Sequence, residues 1–280
     1  MMMQYNNRKY YYIVAGLPDV HLGQSTGLIR IAEFIEGLKE DLHPDDIRRL
    51  SYIFLPFDNL NLLNICFGNK KPWHSLANFS YETLKNGIEG GVSEIPLYLY
   101  EFYDHFLKGN LFQDEYIWEH QLNESFIEYA ISKTDGFLKQ WFIFVRDLRN
   151  ILAALSARYH GYSAENQLVG KNEVTDKLKH SHSYDFNLSL DFPFIDLLIR
   201  LHQQGELLEL EKQIDFIRWN KIEELTEYSY FSFDSIVALV LKLTITDKWS
   251  KYNAETGNKV LTDKIDIMGR QFNFSKEFAV

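Results

Sequence analysis

The sequence predicts an all-α, multi-helical protein, and three observations lead there. Apolar residues recur at spacings of three and four along most of the chain, which places them on one face of a helix. Only 6 prolines occur in 280 residues, so long helices need not be interrupted. One stretch departs from this, YYYIVAG at 10–16, which reads as a short strand-like N-terminal segment closed by the turn residues Gly16, Pro18 and Asp19.

The strongest helix is 141–161, WFIFVRDLRNILAALSARYHG. Trp141, Val145, Leu148, Leu152, Leu155 and Tyr159 draw one apolar stripe, and Ala153, Ala154 and Ala157 lie opposite beside Asp147 and Asn150. Small residues there allow a second helix to approach, so neighbours are expected on both sides. Ahead of it, Ser25 or Thr26 can cap a helix carrying Leu28, Ile31, Ile35 and Leu38. Pro44 suits the first turn of the next, with Asp45 and Asp46 at its positive end. Pro56 should end or kink that helix, and a further segment follows over 57–67.

The segments 68–80 and 87–93 read as loops, Ser93 as a cap for a helix through Tyr98, Leu99, Phe102 and Phe106, and 114–133 as another helix. The polar stretch from 162 to about 190 reads as a long connection with a short helix inside it. Helices resume at 193–203, 206–225 and 233–249, the last apolar nearly all round and therefore buried; a final amphipathic piece carries Val260, Leu261, Ile265, Met268 and Phe272.

Composition narrows the function classes. With 46% hydrophobic and 24% charged residues, the chain belongs with soluble globular proteins. A net charge of −10 argues against nucleic acid, which needs a basic surface, and suits a basic protein partner. Cys66 is the sole cysteine, so an internal disulfide is excluded and a reducing compartment expected. The start lacks the apolar core of a signal peptide, and the run 235–241 is far short of the roughly 20 residues that cross a bilayer. The expected location is cytoplasmic.

A faint repeat runs through the helices. Asp58-Asn-Leu-Asn61-Leu-Leu and Asp147-Leu-Arg-Asn150-Ile-Leu share the pattern Asp-x-x-Asn-apolar-Leu at a separation of 89 residues. A third segment, starting at Asp234, follows 87 residues later with Val237 in place of the Asn. The near-equal spacing points to three similar helical units of about 88 residues, at 10–92, 93–175 and 176–280, within one helical body spanning 1–280.

Candidate site residues follow from these pairs. A spacing of three puts Asp58 with Asn61, and Asp147 with Asn150, on one helix face, where they can bond the ends of neighbouring segments. Arg146 and Arg149 flank the second pair and either bridge internally or present charge to a partner. His180-Ser-His182 with Asp185 has some look of a metal site but lacks rigid support. The only Glu-x-x-His, Glu40 to His43, stands at a helix end, whereas a di-iron bundle needs two. No phosphate-binding glycine loop and no nucleophile elbow occur, and Cys66 reads as a small core residue. Hence no catalytic residue, cofactor or metal is expected.

With these residues in view, the chain resembles a bacterial family of uncharacterised proteins encoded among V-type ATPase subunits. Through it the chain is similar to the C subunit of A/V-type ATPases, the rotor component known as d in eukaryotic enzymes. The segments that carry the resemblance are YYYIVAGLP at 10–18, DNLNLLN at 58–64 and RDLRNILAALSARYHG at 146–161, which includes Arg158. The resemblance implies a non-catalytic central-stalk subunit of three helical units, coupling the central-shaft subunits to the membrane rotor ring. It would sit peripherally on the cytoplasmic face of the membrane and bind no nucleotide itself. The strand-like start and the third unit without its Asn depart from the family pattern. The alternatives are a free-standing helical ligand- or metal-binding protein using the loop from His180 to Asp185, and a cytosolic adaptor.

Overall fold

A computed structural model describes residues 8–23, 30–90, 95–109 and 114–251. Among them the fold is all-α, and the only β-type pairing is an isolated bridge between Lys9 and Ser232. The helices are α1 (Tyr11–Ala15), α2 (Ile31–Asp41), α3 (Pro44–Ser51), α4 (Leu55–Cys66), α5 (Tyr81–Gly90) and α6 (Leu97–Lys108). There follow α7 (Glu115–Lys133), α8 (Gly136–His160), α9 (Glu173–His180), α10 (Ile195–Gln204), α11 (Leu207–Thr226) and α12 (Phe233–Lys251). None of them is long and apolar enough to cross a membrane.

The helix ends obey local chemistry. Pro44 opens α3, and the His43 ring accepts the Asp45 N–H. Pro56 falls in the first turn of α4, so α3 and α4 are two helices with a turn at 52–54 between them. Asp114 caps α7 by accepting the Tyr116 N–H. Gly161 ends the 25-residue α8 in the left-handed region, at φ +74°, which only glycine adopts freely.

Two runs of four helices share part of their packing, although α5 packs on α6 whereas α9 packs on α8. α4 lies against α6 and α7, and α8 lies against α10 and α11. The last helix of each run, α7 and α11, then packs on the helix that follows it, α8 and α12. The third Asp of the sequence pattern, Asp234, sits in the first turn of α12, and Val237 is fully buried. The expected unit boundary at 175 falls inside α9.

Three expectations change. The strand-like segment at 10–16 is a single helical turn, α1. A lone strand would leave its backbone groups unpaired, and among the described residues only Tyr10 N–H, donating to Phe231 O, finds a long-range backbone partner. The loop expected at 87–93 begins later, because Gly87 and Gly90 still belong to α5. Gly87 is needed for contact: a Cβ there would stand 2.8 Å from the Ile95 side chain. On α8 the buried face is rotated from the stripe drawn in the sequence. Val145 and Leu152 are half-buried and Tyr159 is exposed, whereas Asp147, Asn150, Ile151, Ala154 and Ala157 are buried. The expectation of neighbours on both sides of α8 holds, since α7, α9, α10 and α11 all touch it. α12 is buried through Ile236, Val237, Val240 and Leu243 as expected. The proposed caps Ser25, Thr26 and Ser93, Leu28, and the piece around 260–272 lie outside the described residues.

Candidate functional site

Both Asp-x-x-Asn pairs point into the protein and hold a loop that comes back over their helix. On α4, Asp58 and Asn61 have no exposed surface. The Asp58 carboxylate accepts the N–H of Phe79 at 3.1 Å, the N–H of Asn78 at 3.2 Å and the side-chain amide of Asn78 at 2.7 Å. Asn61 Oδ1 accepts the N–H of His74 at 3.1 Å, and the His74 ring stacks on Phe57 with centroids 4.0 Å apart. Between them, Asn59 Oδ1 accepts the buried Tyr98 hydroxyl at 2.7 Å. The side-chain nitrogens of Asn59 and Asn61, both Nδ2, are buried without a partner among the described residues.

On α8 the arrangement recurs with different chemistry. Asn150 makes a reciprocal pair with Val169: its Nδ2 donates to Val169 O at 2.9 Å and its Oδ1 accepts Val169 N–H at 2.8 Å. Asp147 Oδ1 accepts Arg146 Nε at 2.9 Å and Asn172 Nδ2 at 3.3 Å. Asn172 in turn caps α9, exchanging bonds with Thr175. The long polar connection is therefore clamped at Val169 and Asn172, and the short helix expected within it is α9.

The flanking arginines divide. Arg146 bridges internally to Asp147. Arg149 is half-buried, its Nη1 lacks a partner among the described residues, and burial holds its pKa below the ordinary value against the pull of Tyr116, Glu124 and Glu119 on α7. Arg158, near the end of α8, donates to the carbonyls of Ser181, Ser183 and Tyr184 and lies 3.5 Å over the Phe186 ring.

The geometry gives these residues little access to a substrate. Burial pushes the Asp58 carboxyl up to about 6 despite three N–H donors, yet no surface of it is open. Burial likewise pushes the Cys66 thiol up to about 12, which keeps it protonated and a poor nucleophile. Asp185 spends its oxygens on its own loop, accepting from Ser183 Oγ, Asn187 N–H and Ser189 N–H, bonds that hold it well below the usual carboxylate range. Among the described residues, no three His, Cys, Asp or Glu side chains come together as a metal site.

Two buried carboxylates escaped the sequence reading. Asp46, expected only to face the start of α3, is buried and accepts from Tyr10 OH at 2.6 Å, Arg49 at 3.1 Å and Arg8 at 3.3 Å. Asp215 on α11 is buried beneath Arg218, Lys248 and the Trp249 indole. Its signal was available: an Asp and an Arg three apart, each directly following a buried isoleucine, Ile214 and Ile217.

At one end, α1 meets the turn between α11 and α12. Lys9 Nζ donates to Tyr230 O, and the Tyr11 and Phe231 rings lie 5.2 Å apart. Tyr11, Tyr12, Tyr228, Tyr230 and Phe231 are all exposed, Tyr12 to 91%. Phe231 is held at φ +54°, a conformation that a bulky side chain rarely takes.

Comparison with known proteins adds a family. Residues 7–272 match the model of the family described as "Protein of unknown function (DUF2764)". An uncharacterized protein of Chlamydia muridarum (strain MoPn / Nigg) is 22% identical over 260 residues, covering 90% of this chain and 96% of the relative. No solved structure matches.

Proposed function

The chain belongs to this family of proteins of unknown function, and we propose that it works as a non-catalytic central-stalk subunit of a V-type ATPase. In this reading it couples central-shaft subunits to the membrane rotor ring, sits peripherally on the cytoplasmic face of the membrane, and binds neither nucleotide nor nucleic acid. The resemblance of 58–64 and 146–161 to the rotor component of A/V-type ATPases motivates it. The observation that carries it is what those segments do: their buried Asp and Asn side chains brace loops against α4 and α8. Such bracing stiffens a body that must pass on torque without doing chemistry. The aromatic surface at α1 and 228–231 supports the same reading, because exposed tyrosines with a packed phenylalanine suit a protein interface. The net charge of −10 favours a basic surface as its counterpart.

The test is a native pull-down of the tagged chain from membranes in mild detergent, with partners identified by mass spectrometry. Recovery of the catalytic ATPase subunits together with the ring is the expected result. Recovery of the chain alone would overturn the stalk reading.

A further inference from the structure

We propose that the crevice between the C-terminal ends of α8 and α9 binds a small oxyanion, the phosphate or carboxylate group of a soluble molecule. This goes beyond the stalk reading and stands without it. The crevice has a volume of about 440 Å³, and its lining includes Arg158, Lys179, His180 and His182 together with Tyr162 and one carboxylate, Glu165. In a chain of net charge −10 this is a concentration of positive and protonatable groups.

Arg158 is fixed in place. Its Nη1 donates to Ser183 O at 2.9 Å and Tyr184 O at 2.8 Å, its Nη2 to Ser181 O at 3.3 Å, and Phe186 supports its face. A guanidinium has five N–H groups, so Nε–H and one Nη2 proton are left over from these bonds. The carbonyls orient the charge but do not neutralise it. Asp185, the carboxylate that Arg158 feels, is tied to Ser183, Asn187 and Ser189 instead.

Of the lining groups His180 is engaged with its own helix, its Nδ1 lying 3.0 Å from Asp176 O. The last turn of α8 is capped by the N–H groups of Gly161 and Tyr162 on Ala157 O, and that of α9 by Ser181 N–H on Lys177 O. An oxyanion entering the crevice would meet a pre-positioned guanidinium edge with an ammonium and two imidazoles around it, the donor set that recognises such groups. His180 from α9 and His182 from the loop bring ring nitrogens to the lining. They face Arg158 on α8, Lys179 on α9, and Tyr162 and Glu165 in the segment after α8. His160 stacks near Tyr162.

Sulfate is a suitable probe because its charge is constant near neutrality. Calorimetric titration of the full chain with sulfate and with inorganic phosphate, in low-chloride buffer, should show saturable one-site binding. The double variant Lys179→Glu, His182→Glu changes only exposed rim residues and should weaken binding at least tenfold with an unchanged circular dichroism spectrum. Arg158→Gln should also lose binding, but it releases the loop carbonyls, so the rim variant decides. Absence of saturable binding would overturn the proposal. So would undiminished binding by the rim variant, or sedimentation with phosphatidic acid vesicles in the absence of any sulfate or phosphate binding, which would make the region a membrane-facing patch.

Discussion

The loops held by α4 and α8 are built on the same four-residue spacing and solved with different chemistry. On α4 a buried carboxylate is surrounded by neutral donors, two from the main chain and one from Asn78. On α8 the carboxylate has Arg146 beside it, and the amide side chain closes a two-bond ring with Val169. The side-chain nitrogen of Asn61 has no partner among the described residues, whereas both polar atoms of Asn150 are used. The same sequence pattern can thus hold a loop through an uncompensated charge or through a compensated one. Only the first should make stability change with pH between about 4 and 6, falling as pH rises.

The largest expected effect separates the two asparagines. Asn150→Ala leaves both the N–H and the C=O of the fully buried Val169 without partners. At about 1–3 kcal/mol for each stranded group, it should cost about 2–5 kcal/mol. Asn61→Ala removes one bond to a partly buried N–H and should cost about 1–2 kcal/mol. Urea unfolding of the two variants measures the difference, and equal losses would mean that the clamps are equivalent after all.

A second contrast lies within α8. Ile151 is fully buried and Leu152 only half so. Ile151→Ala should therefore cost about 2–4 kcal/mol and Leu152→Ala about 1 kcal/mol. The reverse order would restore the stripe that the sequence suggests. That stripe shows where sequence reasoning ran out. Periodicity located α8 and every later described helix, because apolar spacing and the stop signals at Gly161 and Gly205 are local. It did not locate the most buried face, because Asp147 and Asn150 read as polar and bias the pattern away from themselves. Their burial depends on Val169 and Asn172, about 20 residues downstream, which no local spacing reveals. The pairs themselves were legible from the repeat. Asp46 was not, since it draws Tyr10 and Arg8 from a distant segment; at Asp215 only the Arg218 contact is local, and Lys248 and Trp249 come from α12. The α1 segment was misjudged for the same reason, because a strand is defined by a neighbour that the sequence does not display.

The next effect is a pH dependence confined to the α4 clamp. Asp58 has its folded-state pKa raised from 3.8 to about 6 by burial. Between about pH 4 and 6 the folded chain binds a proton that the unfolded chain has released. The contribution of this group is fully present below pH 4 and lost as pH rises through 6, a change of up to about 3 kcal/mol. Asp58→Asn cannot titrate, so the stability of wild type relative to this variant should fall as pH rises from 4 to 6 and stay level above 7. Urea unfolding at four pH values checks it. A flat difference would show that the three N–H donors outweigh burial at Asp58.

The smallest effect tests the compensating charge on α8. Arg146→Met keeps an apolar stem near Gly170, where the arginine Cδ lies 3.4 Å from the position a Cβ would take. It removes the Nε donor from Asp147 and leaves the Asn172 bond in place. The two side chains are 15% and 9% exposed, so this pair lies between a surface bridge and a buried one. A loss of about 1–2 kcal/mol is expected, above the surface range and below the cost of breaking a fully buried pair. A double-mutant cycle with Asp147→Asn isolates the interaction from packing and should give a coupling of about 1 kcal/mol. A coupling near zero would leave Asn172 and Val169 as the whole of the α8 clamp. The two helices would then differ only in how many amide bonds they make, not in whether a charge is compensated.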